Sequence, residues 1–236
     1  MLDEESFDCI CLDEAAQCME AWVWTLLRPE VTTLIMAGDV NQLPALVSRS
    51  GQSLLHERSL MERLMKCGYP HATLTIQNRM APPLLALING HYGNILSCGP
   101  HAPTSGTVTW HEVVDGHEEE RDTSFLNERE ADEVATIAST CDPAHTVVLA
   151  PYAAQCRLLL SKKMGTHVHT VDSYQGREQE TVILSIVRTG KHGLGFWEDP
   201  RRLIVALSRA RRSLVVVHSP EMRSHLDLRS AAAFFS

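Results

Sequence analysis

Two polar clusters close two short apolar runs in the first fifth of the chain. "FDCICLDEAAQ", residues 7–17, ends its apolar run in the adjacent carboxylates Asp13 and Glu14. "LIMAGDVNQLPA", residues 34–45, ends its run in Gly38, Asp39 and Gln42. In an open α/β sheet, ligands bind outside the carboxyl ends of the strands, which is where both clusters would lie. There one carboxylate can hold a hydrated magnesium ion while its neighbour orients and deprotonates a water. Gln42, a neutral donor and acceptor, can sense a terminal phosphate or position that water. Plainer readings stand beside these: an acidic pair also suits a helix N-terminus, and "GD" before a polar loop also makes a turn. A metal-dependent nuclease built on Asp13, Glu14 and Asp39 has no further motif to support it.

The elements that must position these groups are legible in the pattern. "FDCICLDE", "TTLIMAGD" (32–39), "HTVVLAPY" (145–152), "TVILSIVRT" (181–189) and "SLVVVHS" (213–219) are short and almost continuously apolar. Central parallel strands read this way when both faces are covered. Between them, "SLLHERSLMERLMKCG" (53–68) and "NEREADEVATIASTC" (127–141) read as helices, the second capped by Asn127 with an acidic first turn. The alternation predicts an α/β fold with parallel sheets flanked by helices. "GPHAPTSGT", residues 99–107, marks a composition break that suits either a domain linker or a loop inside one domain.

At 236 residues, with 44% hydrophobic and 21% charged positions, the chain can bury a sizeable core in one large or two small domains. A net charge of -8 argues against a uniformly basic nucleic-acid surface but leaves room for a local groove. The charge is polarised: "DGHEEERD" (115–122) is acidic, whereas "DPRRLIVALSRARR" (199–212) is basic. Seven cysteines, mostly inside apolar runs and with no C-x-x-C pair, point to buried, reduced thiols in a cytosolic or nuclear compartment. Cys98 with His101, and His167 with His169, have no matching second pair for a zinc site. The acidic start "MLDEESFD" lacks the features of a signal peptide, and no apolar stretch approaches a bilayer span. An intracellular location, cytoplasmic or nuclear, without membrane attachment, is the expectation.

"DEAAQ" and "GDVNQLP" together resemble motifs II and III of the superfamily 1 helicases, in the branch that includes the nonsense-mediated-decay RNA helicase. The resemblance continues in order through "TIQNRM" (75–80, motif IV), "DTSFLNEREA" (122–131), "APYAAQ" (150–155), "VDSYQGREQETVILSIVRT" (171–189, motif V) and "GLGFWEDPRRLIVALSRAR" (193–211, motif VI). It implies RecA-like parallel sheets flanked by helices. Residues 1–74 would be the rear part of a first domain and residues 75–236 a second domain.

The resemblance also implies roles. Asp13 would be the magnesium carboxylate, Glu14 the catalytic base, Gln42 the sensor, and Arg79 and Arg209 the arginines that stabilise charge on the transferring phosphate of ATP. An arginine supplied to such a phosphate is worth roughly 10³ to 10⁵ in rate. Gln77, Gly176, Glu178 and Arg211 would complete the nucleotide site, Glu178 near the ribose. Arg211 shares a face with Arg209 in a strand and points elsewhere in a helix. Asp172, Ser173 and Tyr174 would face nucleic acid, Tyr174 either stacking on a base or lying in the core. The sequence departs from the branch at Asn78, where tyrosine is usual and contacts the base, and at Ala45, where proline is usual.

The pattern G-x-x-x-x-G-K-S/T is absent from the chain; Gly190-Lys191 is followed by His192 and has Ser185 where the first glycine belongs. In the resembled family this phosphate-binding loop precedes motif II. The expectation is a first domain without its front half, inactive alone and active when a polypeptide supplies the missing segment. ATP and magnesium (Mg2+) are the implied cofactors, and single-stranded RNA or DNA the implied partner. The competing expectation is a non-catalytic module that keeps these residues but only docks nucleic acid or protein.

Overall fold

The computed structural model describes residues 6–226, the side chain of Arg49 excepted. The chain forms two compact units, Met1–Thr73 and Leu74–Ser236, so the composition break at 99–107 is a loop inside the second. Among the described residues no helix is long and apolar enough to cross a membrane. Of the cysteines expected to be buried, Cys9, Cys11, Cys67 and Cys98 are instead exposed.

In the first unit, β1 (Cys9–Leu12) and β2 (Thr33–Met36) pair in parallel, with Cys9 opposite Thr33 and Leu12 opposite Met36. The helix α1 (Glu20–Leu26) makes the crossover between them. The helices α2 (Arg49–Ser53) and α3 (Leu60–Lys66) follow. Both strands alternate: Ile10, Leu12, Leu34 and Met36 are half-buried, whereas Cys9, Cys11, Thr33 and Ile35 are exposed. The apolar runs suggest cover on both faces; among the described residues only one face is packed. α1 is tied to α3 by Arg63, whose Nε and Nη2 each donate to Glu20 over 2.8 Å. The single helix expected over 53–68 is interrupted. Leu55 takes a φ of 59° and Ser59 begins a new helix, its Oγ accepting from Glu62 N at 3.0 Å. Serine followed three positions later by glutamate is a capping-box pattern, and here it marks the true start of α3.

The second unit opens with β3 (Ile76–Gln77), α4 (Pro82–Ile88) and β4 (Ser97–Cys98). It continues with β5 (Thr107–Glu112), the hairpin of β6 (Glu119–Arg121) and β7 (Ser124–Leu126), α5 (Glu128–Ser139), β8 (Thr146–Ala150) and α6 (Ala153–Ser161). The strand β9 (His167–Thr170), β10 (Gln179–Ser185), α7 (Pro200–Leu207) and β11 (Ala210–His218) complete it. Five strands form one parallel sheet in the order β5-β11-β10-β8-β9. β8 is buried at all five positions, as its unbroken apolar run predicts. One side of this sheet packs Val148 and Ile183 against Ala131, Val134 and Ala138 of α5 and Leu159 of α6. This is the α/β arrangement of parallel sheet and covering helices expected from the alternation.

α5 starts as expected: Asn127 Oδ1 accepts from Glu130 N at 3.1 Å. Glu130, however, is fully buried. Its Oε1 accepts from Ser185 Oγ at 2.6 Å and Val187 N at 2.7 Å. The partner segment turns sharply, Val187 holding a φ of 70°, a conformation that costs a β-branched residue energy and needs such a tether. Burial pushes the Glu130 carboxyl up to about 7, the bonds from Ser185, Val187 and Ile186 opposing it.

A buried acid whose folded value lies above its unfolded value of 4.5 stabilises fully below 4.5 and loses that contribution as pH rises through about 7. Glu130→Gln retains the acceptor oxygen and removes the titration. Denaturant unfolding followed against pH is expected to show the two proteins alike near pH 4.5. Above pH 7 the variant should be more stable by up to roughly 3 kcal/mol. A constant difference across that range would contradict the assignment.

Candidate functional site

In the first unit, the two polar clusters lie where β1 and β2 end. The parallel register places Leu12 beside Met36, so Asp13 and Glu14 leave one strand as Ala37 and Gly38 leave its neighbour. Ala37 N donates to Leu12 O (2.9 Å) and Ala15 N to Ala37 O (2.8 Å), lacing the two strand ends together. Gly38 is required by space: a Cβ there would stand 2.9 Å from Ala16 N and 3.0 Å from Ala15 N. Glycine therefore lets the second cluster lie directly against the backbone of the first.

Glu14 adopts φ 49° and ψ 39°, a left-handed conformation that a non-glycine residue holds at a cost of about 1–2 kcal/mol. Its amide donates to Asp13 Oδ1 (3.0 Å), and its Oε2 accepts from Gln17 Nε2 (3.0 Å). Both carboxylates are exposed, above the buried Ala15 and Ala16. Gln42 is held by Asp39, Nε2 donating to Oδ2 at 2.8 Å, while Asp39 Oδ1 accepts from Asn41 N at 2.9 Å. Gln17 and Asp39 are thus positioning groups for the expected base and sensor. Gln17 stands three residues after Glu14, the spacing at which side chains on a helical turn meet. An exposed carboxylate such as Asp13 is a hard oxygen donor of the kind magnesium accepts.

In the second unit, two of the expected residues, Arg79 and Arg211, converge on a third, the carboxylate of Glu178 just ahead of β10. Glu178 Oε2 accepts from Arg79 Nε at 2.6 Å and Oε1 from Arg211 Nη1 at 2.5 Å. Arg211 Nε also pairs with Glu180 Oε1, and Arg212 Nε with Glu180 Oε2, both at 2.9 Å. Burial pushes the Glu178 carboxyl up, but the bonds from Arg79 and Arg211 outweigh it and hold the group below its ordinary value. Half-exposed ion pairs of this kind each contribute less than about 1 kcal/mol to folding. Stability alone therefore does not account for two arginines on one glutamate.

Arg79 is presented by a turn that Gln77 staples. Gln77 Oε1 accepts from Arg79 N (2.9 Å) and Met80 N (2.7 Å), and Nε2 donates to Met80 O (2.8 Å). Gln77, expected among the nucleotide contacts, has its amide on this backbone. Arg211 lies in β11, the strand alternative. Arg209, just ahead of β11, is buried, with Nε on Val205 O (2.8 Å), Nη2 on Ser208 Oγ (2.8 Å) and Nη1 on Arg177 O (3.2 Å). The arginine that meets Arg79 on Glu178 is therefore Arg211.

Gly176 takes a φ of 78° with open space around it, so the turn before Glu178 requires glycine for its backbone. Asp172 and Ser173 are exposed just past β9, Ser173 Oγ donating to Thr170 O at 3.0 Å. Tyr174 is buried, its hydroxyl on Glu178 O at 3.3 Å, so its ring face is not open to a base. Glu180, Arg212 and the stapling role of Gln77 escaped the sequence reading. Glu178, just ahead of β10, and Glu180, within it, are two apart, a spacing that in extended chain places both on one face and could have indicated the second pair.

A family model described as an AAA domain matches residues 56–221, and a second with the same description matches residues 1–50. The "Regulator of nonsense transcripts 1 homolog" of Neurospora crassa is 29% identical over 94% of this chain and 23% of its own length. That of Arabidopsis thaliana is 32% identical over 93% of this chain and 20% of its own length. The chain therefore spans about a fifth of each of these relatives. Among solved structures, "The structure of PRRSV helicase" superposes with a TM-score of 0.56 and 21% identity, over 91% of this chain and 36% of that one, a likeness of fold.

Gly38→Ala forces a methyl group against the Ala15–Ala16 backbone. Chemical denaturation of the variant should show a loss of about 1–3 kcal/mol in the unfolding of the first unit. Unchanged stability would show that the two strand ends can separate freely.

Proposed function

Because the chain belongs to the AAA domain family of the superfamily 1 helicases, in the branch of the nonsense-mediated-decay helicase, we propose that it forms part of an ATP-driven motor. The motor couples nucleotide hydrolysis to movement along, or unwinding of, RNA or DNA. Glu14, held in a left-handed backbone conformation, takes the proton from the attacking water. Gln17 fixes its carboxylate. Asp13 would hold magnesium, which when bound neutralises charge on the phosphate oxygens. Gln42, held by Asp39, orients the water or senses the terminal phosphate.

Arg79 supplies positive charge to the transferring phosphate, with Arg211 beside it, and Glu178 accepts from the ribose hydroxyls once its two arginines turn to phosphate. Arg209, gripped by carbonyls, fixes the loop of Arg177 and Glu178 and keeps its charge close to them. Asp172 and Ser173 stand toward a single strand. The first unit works with a segment bearing a G-x-x-x-x-G-K-S/T loop, supplied by another polypeptide or by a longer chain. The observation that carries this reading is the laced pair of strand ends that brings Asp13, Glu14, Asp39 and Gln42 to one sheet edge.

The test is steady-state ATPase activity of the chain together with a polypeptide bearing that loop, with and without single-stranded RNA or DNA. Turnover stimulated by the strand is expected. Glu14→Gln should lower kcat by about 10² to 10⁴ while nucleotide still binds. Arg79→Ala should lower it by about 10³ or more. Strand binding without turnover would favour the docking module instead, and normal turnover in both variants would refute the named roles.

A further inference from the structure

The edge strand β9 carries two histidines two residues apart, and both line a shallow cavity of about 470 Å³ shared with Tyr174, Arg177, Glu178 and Gln179. Val168, between them, packs into the core, so the imidazoles share the opposite face. Their ring centroids are 6.4 Å apart with planes 31° from parallel. This spacing follows from the strand, whose rise of about 3.3 Å per residue puts alternate side chains about 6.6 Å apart. Two stacking distances of about 3.4 Å need nearly the same gap.

The two walls differ. His169 is half-buried and backed by the Tyr174 ring at 5.3 Å and 37°. His167 is exposed, so a rotation of its side chain can widen or straighten the gap. Burial, with Arg177 and His167 adding to it, holds the His169 imidazole below its ordinary value, so that ring is uncharged near neutral pH. Arg177 lies at the mouth, its Cζ 6.0 Å from the Tyr174 centroid and its carbonyl fixed by Arg209 at 3.2 Å. Among the described residues Glu178 is the one acid on the lining, and in this structure it carries Arg79 and Arg211.

We propose that the gap between His167 and His169 is a seat for one unpaired nucleobase, stacked against His169, with the adjoining phosphate on Arg177. The seat rests on the reading that the chain engages a single strand, for which it supplies a base contact read by stacking alone. Such a contact tolerates any base, because every base offers a π face.

Fluorescence anisotropy with a labelled oligouridylate tests it on the full chain. His169→Ala is expected to weaken binding about tenfold, His167→Ala less, and His169→Phe, which keeps a ring, to bind within about twofold of the unaltered chain. An oligonucleotide that binds all four proteins equally overturns the seat and leaves strand binding in place. Failure of the unaltered chain to bind any oligonucleotide instead overturns the strand reading. Uridine monophosphate, titrated against the histidine ring proton resonances, then judges the seat by itself. Saturable upfield shifts at His167 and His169, not produced by ribose phosphate, uphold it; unmoved resonances overturn it.

Discussion

One carboxylate organises the second unit's chemistry. Glu178 receives Arg79 from the turn after β3 and Arg211 from the start of β11, while it stands itself just ahead of β10. Three chain segments far apart in sequence are thereby fixed relative to one another by two charge-assisted bonds. The surrounding groups serve that meeting: Gln77 sets the Arg79 turn, Gly176 supplies the turn before Glu178, and Arg209 anchors Arg177 from below. The fold contributes the rest, since adjacent parallel strands begin at the same sheet edge. Residues that open β10 and β11 must then be neighbours.

The first unit uses the opposite ends of its strands. There the register of β1 on β2 and the space left by Gly38 bring two polar clusters together. A glutamate in a left-handed conformation is costly, and folded proteins tend to hold such residues at working sites. In the proposed motor, strand ends in one unit present acids and an amide, and strand starts in the other present guanidinium groups.

Much of this was readable from residue types and periods. The unbroken apolar runs of β8, β10 and β11 have no exposed period, and covered parallel strands are what such runs become. Asn127 predicted the start of α5 because a side-chain acceptor ahead of an acidic turn satisfies free amides. Other features depended on partners that a single segment does not reveal. β1 and β2 have apolar runs of similar character but only one packed face, which depends on what lies over the sheet. The break before α3 was encoded locally, in the serine and glutamate spacing of 59 and 62, and was hidden by the helix period on either side. The burial of Arg209 and the exposure of Arg211 depend on where α7 ends and β11 begins, a boundary that periodicity leaves soft. Glu130 reads as a surface acid at a helix start, yet the tether it makes to Val187 is a tertiary contact.

The central claim is that the polar groups where β1 and β2 end hold magnesium and position water for ATP hydrolysis. The most direct measurement is the binding of manganese, a paramagnetic stand-in for magnesium, to the chain with ATP and the loop-bearing polypeptide present, read by water proton relaxation. Asp13→Asn is predicted to weaken that binding while the variant unfolds at the same denaturant concentration as the unaltered chain. Manganese binding that Asp13→Asn leaves unaltered would contradict the claim.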